Sequence, residues 1–508
     1  MLKQKSFLSL IMTILQQLIG YVSLYFVSRY MGPEPFGIMG TSLAFIAIFM
    51  NFSDLGYSLA HFKKVSEGHD LGKCIGTFAT VKISLTFLAS LVYLATLWFL
   101  KASGRKLPIP ETYSIILYIV LISAVLGNIA SIAQYTFAAR IEKAKEWTSM
   151  ISAKITTTIL NINVALLGLG VVFLAWSNFI GTLVSALIAF WFIRKLPFKK
   201  FDRELFKGYT RYALPGFIIG ISSTLAVQLD IVFISMLSDV KQVGYYTGAK
   251  AIVVVVTFIS VIFIGLLLPT YSKMHAENNI EGIRVFAQRI ERYISFPLMA
   301  VGLFIFFFSS PIQQMLLGPD FSASSVIIKL LVINAMLLIF AQPYTAQLMG
   351  MNKIKLATIL SVLMIIFNVI FYLILIPKTL LGFSFFGLGS AGAAASLLIS
   401  NFIGTALFRF YAFRLTGSKP SFIILTHLLC SIAVFAPLYY LLQDWKWIDN
   451  FFVLGGLAIA GGFIYLLILM ATKLFRRTDL QFYLDVVNPG KLGKYVKNEI
   501  RDQDAGIS

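Results

Sequence analysis

Long apolar runs alternate with short polar segments from one end of the chain to the other. Most of these runs hold about twenty residues or more, the length that an α-helix needs to cross the hydrocarbon layer of a bilayer. The pattern therefore predicts an all-α, polytopic membrane protein with about fourteen transmembrane helices. The predicted spans cover residues 7–30, 37–61, 75–100, 113–138, 148–169, 171–193, 212–237, 244–269, 292–316, 325–349, 355–377, 386–412, 420–442 and 449–472.

Two boundaries need separate arguments. The fifth and sixth spans are separated by few breaking residues, namely Gly168, Gly170 and a tryptophan. The boundary between these two spans therefore rests on the conformational freedom of glycine. The first run follows a short basic start and lacks a small-residue cleavage site. We interpret it as a retained span and not as a signal peptide.

Composition and charge support a membrane location. The 508 residues are 58% hydrophobic and 13% charged, with a mean hydropathy of +0.85, whereas about a quarter of the residues in an average soluble domain carry charge. The net charge of +20 would suggest nucleic acid as the partner of a soluble protein. Here most Lys and Arg residues fall in alternate connections between apolar runs. This distribution predicts no nucleic-acid partner, and both termini on the cytoplasmic side of the cell membrane.

Weak internal similarity recurs at one spacing. Aligning SRYMGPEPFGIMG with SMLSDVKQVGYYTG places Ser28 on Ser235 and Gly37 on Gly244, an offset of 207 residues. An even number of spans in each repeat gives both halves the same orientation. That is the parallel-repeat design of transporters with a binding site at the interface between the halves.

The repeat predicts two pseudo-symmetric six-helix bundles followed by two C-terminal helices. The N-terminal lobe covers residues 1–200, the C-terminal lobe 201–418, the two additional helices 419–473 and a basic cytoplasmic tail 474–508. The longest basic connection, residues 194–211, acts as a hinge between the lobes. It lies either partly as a basic amphipathic helix on an anionic leaflet or as a plain positive-inside loop.

Ionisable residues inside the predicted spans are candidates for function, because each is costly there unless it is paired or hydrated. Asp230 and Lys250 lie at equal distances from an outer turn, about 15 Å deep for ten residues of helix. Asp54 and Lys82 lie at equal distances from an inner loop. Each pair is either a static bridge that holds helices together or a part of substrate or ion coupling.

Further polar residues complete the candidate site. Lys154 lies about two turns inside the inner surface, where it can line a cavity, and Arg140 lies at an interface. Amide side chains in the spans either hydrogen-bond neighbouring helices or face a central cavity, where they can hold sugar hydroxyls. The amide candidates are Gln134, Asn161, Gln228 and Asn368.

Motifs for catalysis and for metal binding are absent from the sequence. It contains no HExxH, GxSxG or P-loop pattern, and no predicted outer connection is long enough for a catalytic domain. The two cysteines, Cys74 and Cys430, and the four histidines have neither a disulfide pattern nor metal-ligand spacing. We therefore predict a protein that is not an enzyme, with no catalytic residues, metal or cofactor.

Three stretches carry more specific motifs. Residues 28–60 contain GPEPFG, residues 212–273 contain an aspartate ahead of VGYYTGAK, and residues 349–401 contain GSAGAA. With the number of spans, these stretches resemble the polysaccharide repeat-unit (O-antigen, Wzx-type) flippases of the multidrug/oligosaccharidyl-lipid/polysaccharide exporter superfamily. The likeness covers nearly the whole chain.

The resemblance implies a V-shaped pair of bundles that moves a polyprenyl- or dolichyl-linked oligosaccharide from the inner to the outer leaflet by alternating access. Lys82, Lys154 and Lys250 would then meet the phosphate or diphosphate, in place of the family's cavity arginines. Asp54 and Asp230 would hold these lysines or exchange a coupling ion, H⁺ or Na⁺. The implied partners are the lipid-linked oligosaccharide, membrane lipids, and glycosyltransferases or a polymerase of the same pathway.

Two other functions stay open. A drug or small-cation exporter of the same superfamily would need a compact acidic pocket in its N-terminal bundle, yet the first span has no carboxylate. A membrane polymerase or ligase acting on lipid-linked glycans would usually have a large outer loop, which this chain lacks.

Overall fold

The structure is almost entirely α-helical. It is a computed structural model that describes residues 2–419, 421–445, 447–475, 479, 481 and 483, with backbone alone at 2–11, 214–226, 261–262 and 264–266. The helices are α1 (Leu2–Met31), α2 (Pro33–Asn51), α3 (Tyr57–Ser66), α4 (Leu71–Ala102), α5 (Ile115–Ala139), α6 (Lys143–Leu166), α7 (Val171–Ile193), α8 (Arg203–Leu237), α9 (Val240–Ala276), α10 (Ile280–Phe307), α11 (Ser309–Leu317), α12 (Ser324–Gly350), α13 (Ile354–Leu375), α14 (Gly389–Thr416), α15 (Ile423–Leu442) and α16 (Phe451–Ala471).

The remaining regular structure is small. Two single-turn 3₁₀ helices cover Glu111–Tyr113 and Pro319–Phe321. Between α13 and α14, β1 (Thr379–Leu380) pairs antiparallel with β2 (Phe383–Ser384) in a two-stranded hairpin. The predicted all-α class is therefore confirmed.

Eleven helices within the described residues are long and apolar enough to cross a membrane. Each of the fourteen predicted spans overlaps one helix of 19 or more residues, but α1, α6 and most of α8 are not among the eleven. The chain is therefore a multi-pass membrane protein, and the count of fourteen spans stays a prediction.

Two predicted spans are wrong in their boundaries. The second, 37–61, is interrupted: α2 ends at Asn51, and a turn with Leu55 and Gly56 at positive φ precedes α3. The ninth, 292–316, begins and ends too late. The helix starts earlier because the Asn279 side chain caps α10 by accepting a hydrogen bond from Gly282 N at 2.7 Å. The first turns of α10 are polar, so the predicted apolar span did not include them. The weak division between α6 and α7 is confirmed, with Gly168 and Gly170 at positive φ.

The chain divides into two compact units, the first containing Met1–Met236 and the second Leu237–Val487. The predicted domain limits (1–200, 201–418 and 419–473) stay predictions. Most of the predicted tail, 474–508, lies outside the described residues.

Corresponding helices pack in the same way within each unit. In the first unit α5 packs against α2, α4, α6 and α7, and in the second α12 packs against α9, α10, α13 and α14. The helix α6 packs on α7 as α13 packs on α14, and α15 and α16 both pack on α10. This shared order supports the internal repeat inferred from the sequence.

The motifs VGYYTGAK and GSAGAA meet at the start of α14. The Gln242 side chain, on the first turn of α9, accepts hydrogen bonds from Ser390 N at 3.2 Å and from Ser390 Oγ at 2.6 Å. It thereby satisfies a backbone donor that a helix N-terminus would otherwise leave free. Gly392 lies against the end of α13, where a Cβ would overlap the Leu375 carbonyl oxygen. Small residues of this kind let helices approach closely in membranes.

The substitution Gly392→Ala tests this contact between α13 and α14. The added methyl group would overlap backbone, so we expect a loss of about 1–3 kcal/mol in stability, measured as a lower midpoint of thermal unfolding in detergent. Gly456→Ala in α16 is the matched control, because a Cβ there meets no atom within 4 Å. It should leave the midpoint unchanged or slightly raised, since alanine is the better helix former. Equal midpoints for the two variants would contradict the packing.

Candidate functional site

Asp54 lies in the turn that separates α2 from α3. Its backbone carbonyl accepts a hydrogen bond from Tyr57 N at 2.8 Å, and its carboxylate accepts one from Ser58 Oγ in the first turn of α3. The carboxylate is therefore held at the N-terminal end of α3, where the helix dipole favours negative charge. This placement explains why an acid is tolerated inside a long apolar stretch.

Lys82 of α4 completes the arrangement around this acid. Its Nζ lies 2.7 Å from Asp54 Oδ1, and the two side chains are 4% and 29% exposed, respectively. The ion pair expected from the sequence is therefore confirmed, whereas its role in coupling stays a prediction. The lysine is enclosed and the carboxylate is reachable from outside, so a small ligand or proton could approach the pair only from the Asp54 side.

The second unit contains a buried ion pair that the sequence reading missed. Glu291 of α10 pairs with Arg409 Nη1 of α14 and is completely buried, while Arg409 is 21% exposed. Glu291 also accepts hydrogen bonds from Tyr344 Oη at 2.5 Å and from Ser421 N at 3.1 Å, and the Arg409 guanidinium lies over the Tyr344 ring. Three partners thus enclose this carboxylate.

One member of each ion pair occupies an equivalent position in the repeat. Lys82 is the twelfth residue of α4 and Glu291 is the twelfth of α10, an offset of 209 residues. Their partners, Asp54 and Arg409, lie on elements that do not correspond. Tyr135 and Tyr344 are each the twenty-first residue of α5 and α12, respectively. Tyr135 lies near enough to Asp54 to feel its charge, and Tyr344 donates a hydrogen bond to Glu291. Positions 82 and 291 therefore each carry a paired charge, with opposite signs.

A sequence signal for Glu291 existed. Tyr135 aligns with Tyr344 at an offset of 209, and the same offset from Lys82 leads to Glu291. The predicted ninth span began at residue 292, which put Glu291 in a loop, where an acid needs no explanation. The misplaced boundary concealed the buried charge.

Lys154 is half-buried in α6 and faces α1. A Cβ at Gly20 of α1 would lie 3.3 Å from both Cε and Nζ of Lys154, so the lysine rests in a notch that glycine leaves open. Among the residues that the structure describes, none forms a hydrogen bond or ion pair with its ammonium group. Lys154 thus presents a positive charge inside the first unit, with no counter-charge among the described side chains.

Amides lie two turns from this lysine on α6 and on the neighbouring helix α5. Asn161 Nδ2 donates to Ser23 Oγ of α1 at 3.0 Å, while its buried Oδ1 has no partner in the described part of the chain. Gln134 Nε2 of α5 donates weakly to Ser185 Oγ of α7 at 3.3 Å. The structure places Lys154 and Asn161 at the α1–α6 contact and Gln134 at the α5–α7 contact.

The remaining candidates are spread over both units. Asp230 is buried near the end of α8, where its carboxylate accepts a hydrogen bond from Ile231 N at 2.7 Å, and Gln228 is half-buried two residues earlier. Lys250 is half-buried in α9, with Nζ 5.7 Å from the centre of the Tyr246 ring. Asp230 belongs to the first unit and Lys250 to the second, and their pairing stays a prediction. Asn368 of α13 is buried.

Arg140 lies on the surface at the end of α5. Its Nε donates to Glu142 Oε1 at 2.7 Å, and Lys145 Nζ lies 2.5 Å from Glu142 Oε2. Partial burial raises the pKa of Glu142, but the hydrogen bonds from Lys145 and Arg140 outweigh it, and the pKa lies below its usual value. Arg140 is therefore already neutralised by a surface carboxylate.

His61 links three helices in the first unit. Its Nδ1 is 3.0 Å from Tyr209 Oη of α8 and its Nε2 is 2.9 Å from Thr136 Oγ1 of α5. The ring stacks on Phe78 of α4. These contacts fix α3, and with it the turn that holds Asp54. No group of three or more potential metal-binding side chains occurs within the described ranges.

Paired charges inside membrane helices and an uncompensated lysine are features of proteins that move charged solutes or headgroups. Several solved structures share this fold. The lipid II flippase MurJ in an inward-closed conformation has a TM-score of 0.68 at 17% identity, covering 92% of this chain and 100% of that chain. A multidrug resistance MATE family transporter in an inward-facing conformation has a TM-score of 0.59 at 18% identity, covering 80% and 96%.

A MOP superfamily transporter from Pyrococcus furiosus Vc1 (DSM3638) has a TM-score of 0.52 at 18% identity, covering 81% of this chain and 94% of that chain. At such identities the likeness concerns the fold. The fold is thus the one that the MurJ flippase and the MOP-superfamily transporters share.

The family follows from the sequence. The pattern of the family described as polysaccharide biosynthesis protein matches residues 2–275, more than half of the chain, and the protein belongs to that family. No curated protein matches the chain. The resemblance inferred from the three motifs is confirmed.

The different exposure of Lys82 and Asp54 predicts unequal effects of the two single substitutions. Asp54→Asn strands the enclosed Lys82 ammonium, so we expect a loss of stability approaching the roughly 3 kcal/mol of a broken buried pair. Lys82→Gln leaves a carboxylate that Ser58 and solvent still reach, and its effect should be about half as large. Denaturation in detergent measures both.

The exposed pair Lys101–Glu111, with an Nζ–Oε1 distance of 3.8 Å, provides the control. Lys101→Gln should change stability by less than about 1 kcal/mol. A larger loss for Lys82→Gln than for Asp54→Asn would show that the accessible side of the pair had been assigned to the wrong residue.

Proposed function

We propose that this protein translocates a polyprenyl- or dolichyl-(di)phosphate-linked oligosaccharide from the inner to the outer leaflet of the cell membrane by alternating access. The translocated glycan would serve the assembly of cell-surface polysaccharide or of glycoprotein glycans. Membership in the polysaccharide biosynthesis protein family and the fold shared with a lipid II flippase support this proposal.

The observation that carries the proposal is the uncompensated charge of Lys154. A diphosphate that leaves the headgroup region loses its counter-ions and needs a cation inside the protein. Lys82 is occupied by Asp54, whereas Lys154 has no counter-charge among the described side chains. A half-buried lysine in a glycine notch is therefore the group best able to receive a phosphate.

The other candidates take supporting roles. Asn161, with a free buried Oδ1, Gln134, Gln228 and Asn368 would hydrogen-bond sugar hydroxyls. The Asp54–Lys82 and Asp230–Lys250 pairs would open and close as a coupling ion, H⁺ or Na⁺, is exchanged. Glycosyltransferases or a polymerase of the same pathway would supply or consume the substrate.

The experiment uses full-length protein reconstituted into vesicles with a fluorescent isoprenyl-diphosphate oligosaccharide in both leaflets. Exposure of the glycan to a membrane-impermeant lectin or reductant reports its movement between leaflets. We expect faster exchange than in protein-free vesicles, and comparison of vesicles with and without H⁺ or Na⁺ gradients identifies the coupling ion. Transport of an organic cation in place of the glycan lipid would overturn the proposal in favour of drug export.

Lys154→Gln should slow glycan-lipid exchange about ten- to hundredfold, the range expected for loss of a charge-assisted hydrogen bond. Lys154→Arg should retain much of the activity, because the positive charge remains. Exchange rates in the reconstituted vesicles provide the measurement.

Lys329→Gln is the matched control. Lys329 also lies in a spanning helix, α12, where its Nζ is 5.8 Å from the centre of the Phe306 ring. Its replacement should leave the exchange rate within about a factor of two, since a cation–π contact of this length contributes little. Equal rates for Lys154→Gln and the unmodified protein would remove Lys154 from the pathway.

A further inference from the structure

The connection between α7 and α8 is docked onto the start of α4. We call residues 194–202 the strap. They are not helical, and α8 begins only at Arg203. Lys199 N donates to the Gly72 carbonyl at 3.1 Å, and Asp202 N donates to Thr77 Oγ1 at 3.0 Å. The strap therefore follows the first two turns of α4 through backbone hydrogen bonds.

Two glycines of α4 make room for the strap. A Cβ at Gly76 would overlap the Lys199 carbonyl oxygen, and a Cβ at Gly72 would lie 2.9 Å from Lys199 Cγ. Only a residue without a side chain permits such an approach at position 76. The close fit gives the strap a defined position on the first unit.

The carboxylates next to the strap are engaged in ion pairs when it is docked. Lys199 Nζ lies 2.6 Å from Asp70 Oδ2, and Lys73 Nζ lies 2.8 Å from Asp202 Oδ2. The hydrogen bond from Lys199 holds the pKa of Asp70 below its usual value, and that from Lys73 does the same for Asp202. Both acids are ionised at neutral pH and already engaged. They are not available to neutralise other basic residues of the strap.

A surplus of exposed cations remains. Glu204 is the one further acid between residues 194 and 211. Six basic side chains in that range are exposed and form no ion pair with a described residue. They are Arg194, Lys195, Lys200, Arg203, Lys207 and Arg211.

Apolar side chains accompany these cations. Phe198 is 69% exposed and Phe201 is 44% exposed. At the end of α7, Trp191 lies 5.1 Å from Lys195 Nζ, measured to the ring centre. Since α7 is a candidate membrane span that ends at Ile193, the strap starts where the chain leaves the hydrocarbon layer. Interleaved basic and aromatic residues at this depth match the chemistry of a lipid headgroup layer.

We propose that residues 194–211 form a binding surface for anionic phospholipid headgroups, with Phe198 and Phe201 entering the bilayer interface. Basic side chains contact lipid phosphates while the docked backbone keeps the surface in place against α4. The surface is separate from any site for a transported substrate, and the proposal does not depend on the glycan. An anionic leaflet would thereby fix the start of α8.

The test places an environment-sensitive fluorophore at Phe198→Cys in full-length protein that also carries Cys430→Ser; the remaining Cys74 is fully buried. The protein is reconstituted into phosphatidylcholine vesicles with or without phosphatidylglycerol. We expect a blue-shifted emission and protection from an aqueous quencher only with phosphatidylglycerol. High salt should reverse both effects, because it screens exposed charges.

The double variant Lys200→Gln/Lys207→Gln should shift the equilibrium towards the unbound state by about fivefold for each cation removed. Lys353→Gln/Lys355→Gln removes the same charge from two exposed lysines just before and within the first turn of α13 and should leave the signal at position 198 unchanged. Identical emission in both lipid mixtures, or equal behaviour of the two double variants, would overturn the proposal. So would a shift that requires an added acidic protein.

Discussion

A charge inside a bundle of membrane-spanning helices must have a partner or be reached by water, because hydrocarbon and apolar side chains offer it no other compensation. The most informative parts of this structure satisfy that constraint in different ways. Lys82 is enclosed and paired with Asp54. Glu291 is enclosed by three partners, Arg409, Tyr344 and Ser421. Lys154 has no counter-charge in the described portion of the chain, and a ligand that carries negative charge would supply one.

Positions 82 and 291 show which feature the two halves of the repeat share. The equivalent positions 82 and 291 carry opposite charges, yet both are neutralised and both lie near a tyrosine of the central helix. The charge at this position is thus paired in both units, although its sign differs. Exposure distinguishes the two pairs, because Asp54 is accessible in its helix break and Glu291 is not. Opening either pair leaves an enclosed charge without its partner, Lys82 in the first unit and Glu291 in the second, so both pairs are suited to holding helices together. Only the first pair has a carboxylate that an exchanging ion could reach.

Glycine makes room for close contacts at three places in the structure. Gly392 admits the end of α13, Gly76 admits the strap, and Gly20 leaves the notch for Lys154. In a bilayer the hydrophobic effect contributes little to helix association, so close packing at small residues and interhelical hydrogen bonds determine which helices pair. The same geometry positions charged groups, because a lysine can rest against a neighbouring helix only where that helix has no side chain.

Periodicity and composition by themselves determined the helical class, the segments that form the long helices, and the division between α6 and α7. They also determined the Asp54–Lys82 pair, because hydropathy and spacing along one helix hairpin are local properties. The family also followed from local motifs. The break at residues 52–56, the buried state of Glu291, the docking of the strap and the isolation of Lys154 were decided only by tertiary structure. Each of these features depends on which side chains from distant segments of the chain lie opposite one another. The burial and pairing of a charge are set by those distant side chains and not by the residue's neighbours in sequence.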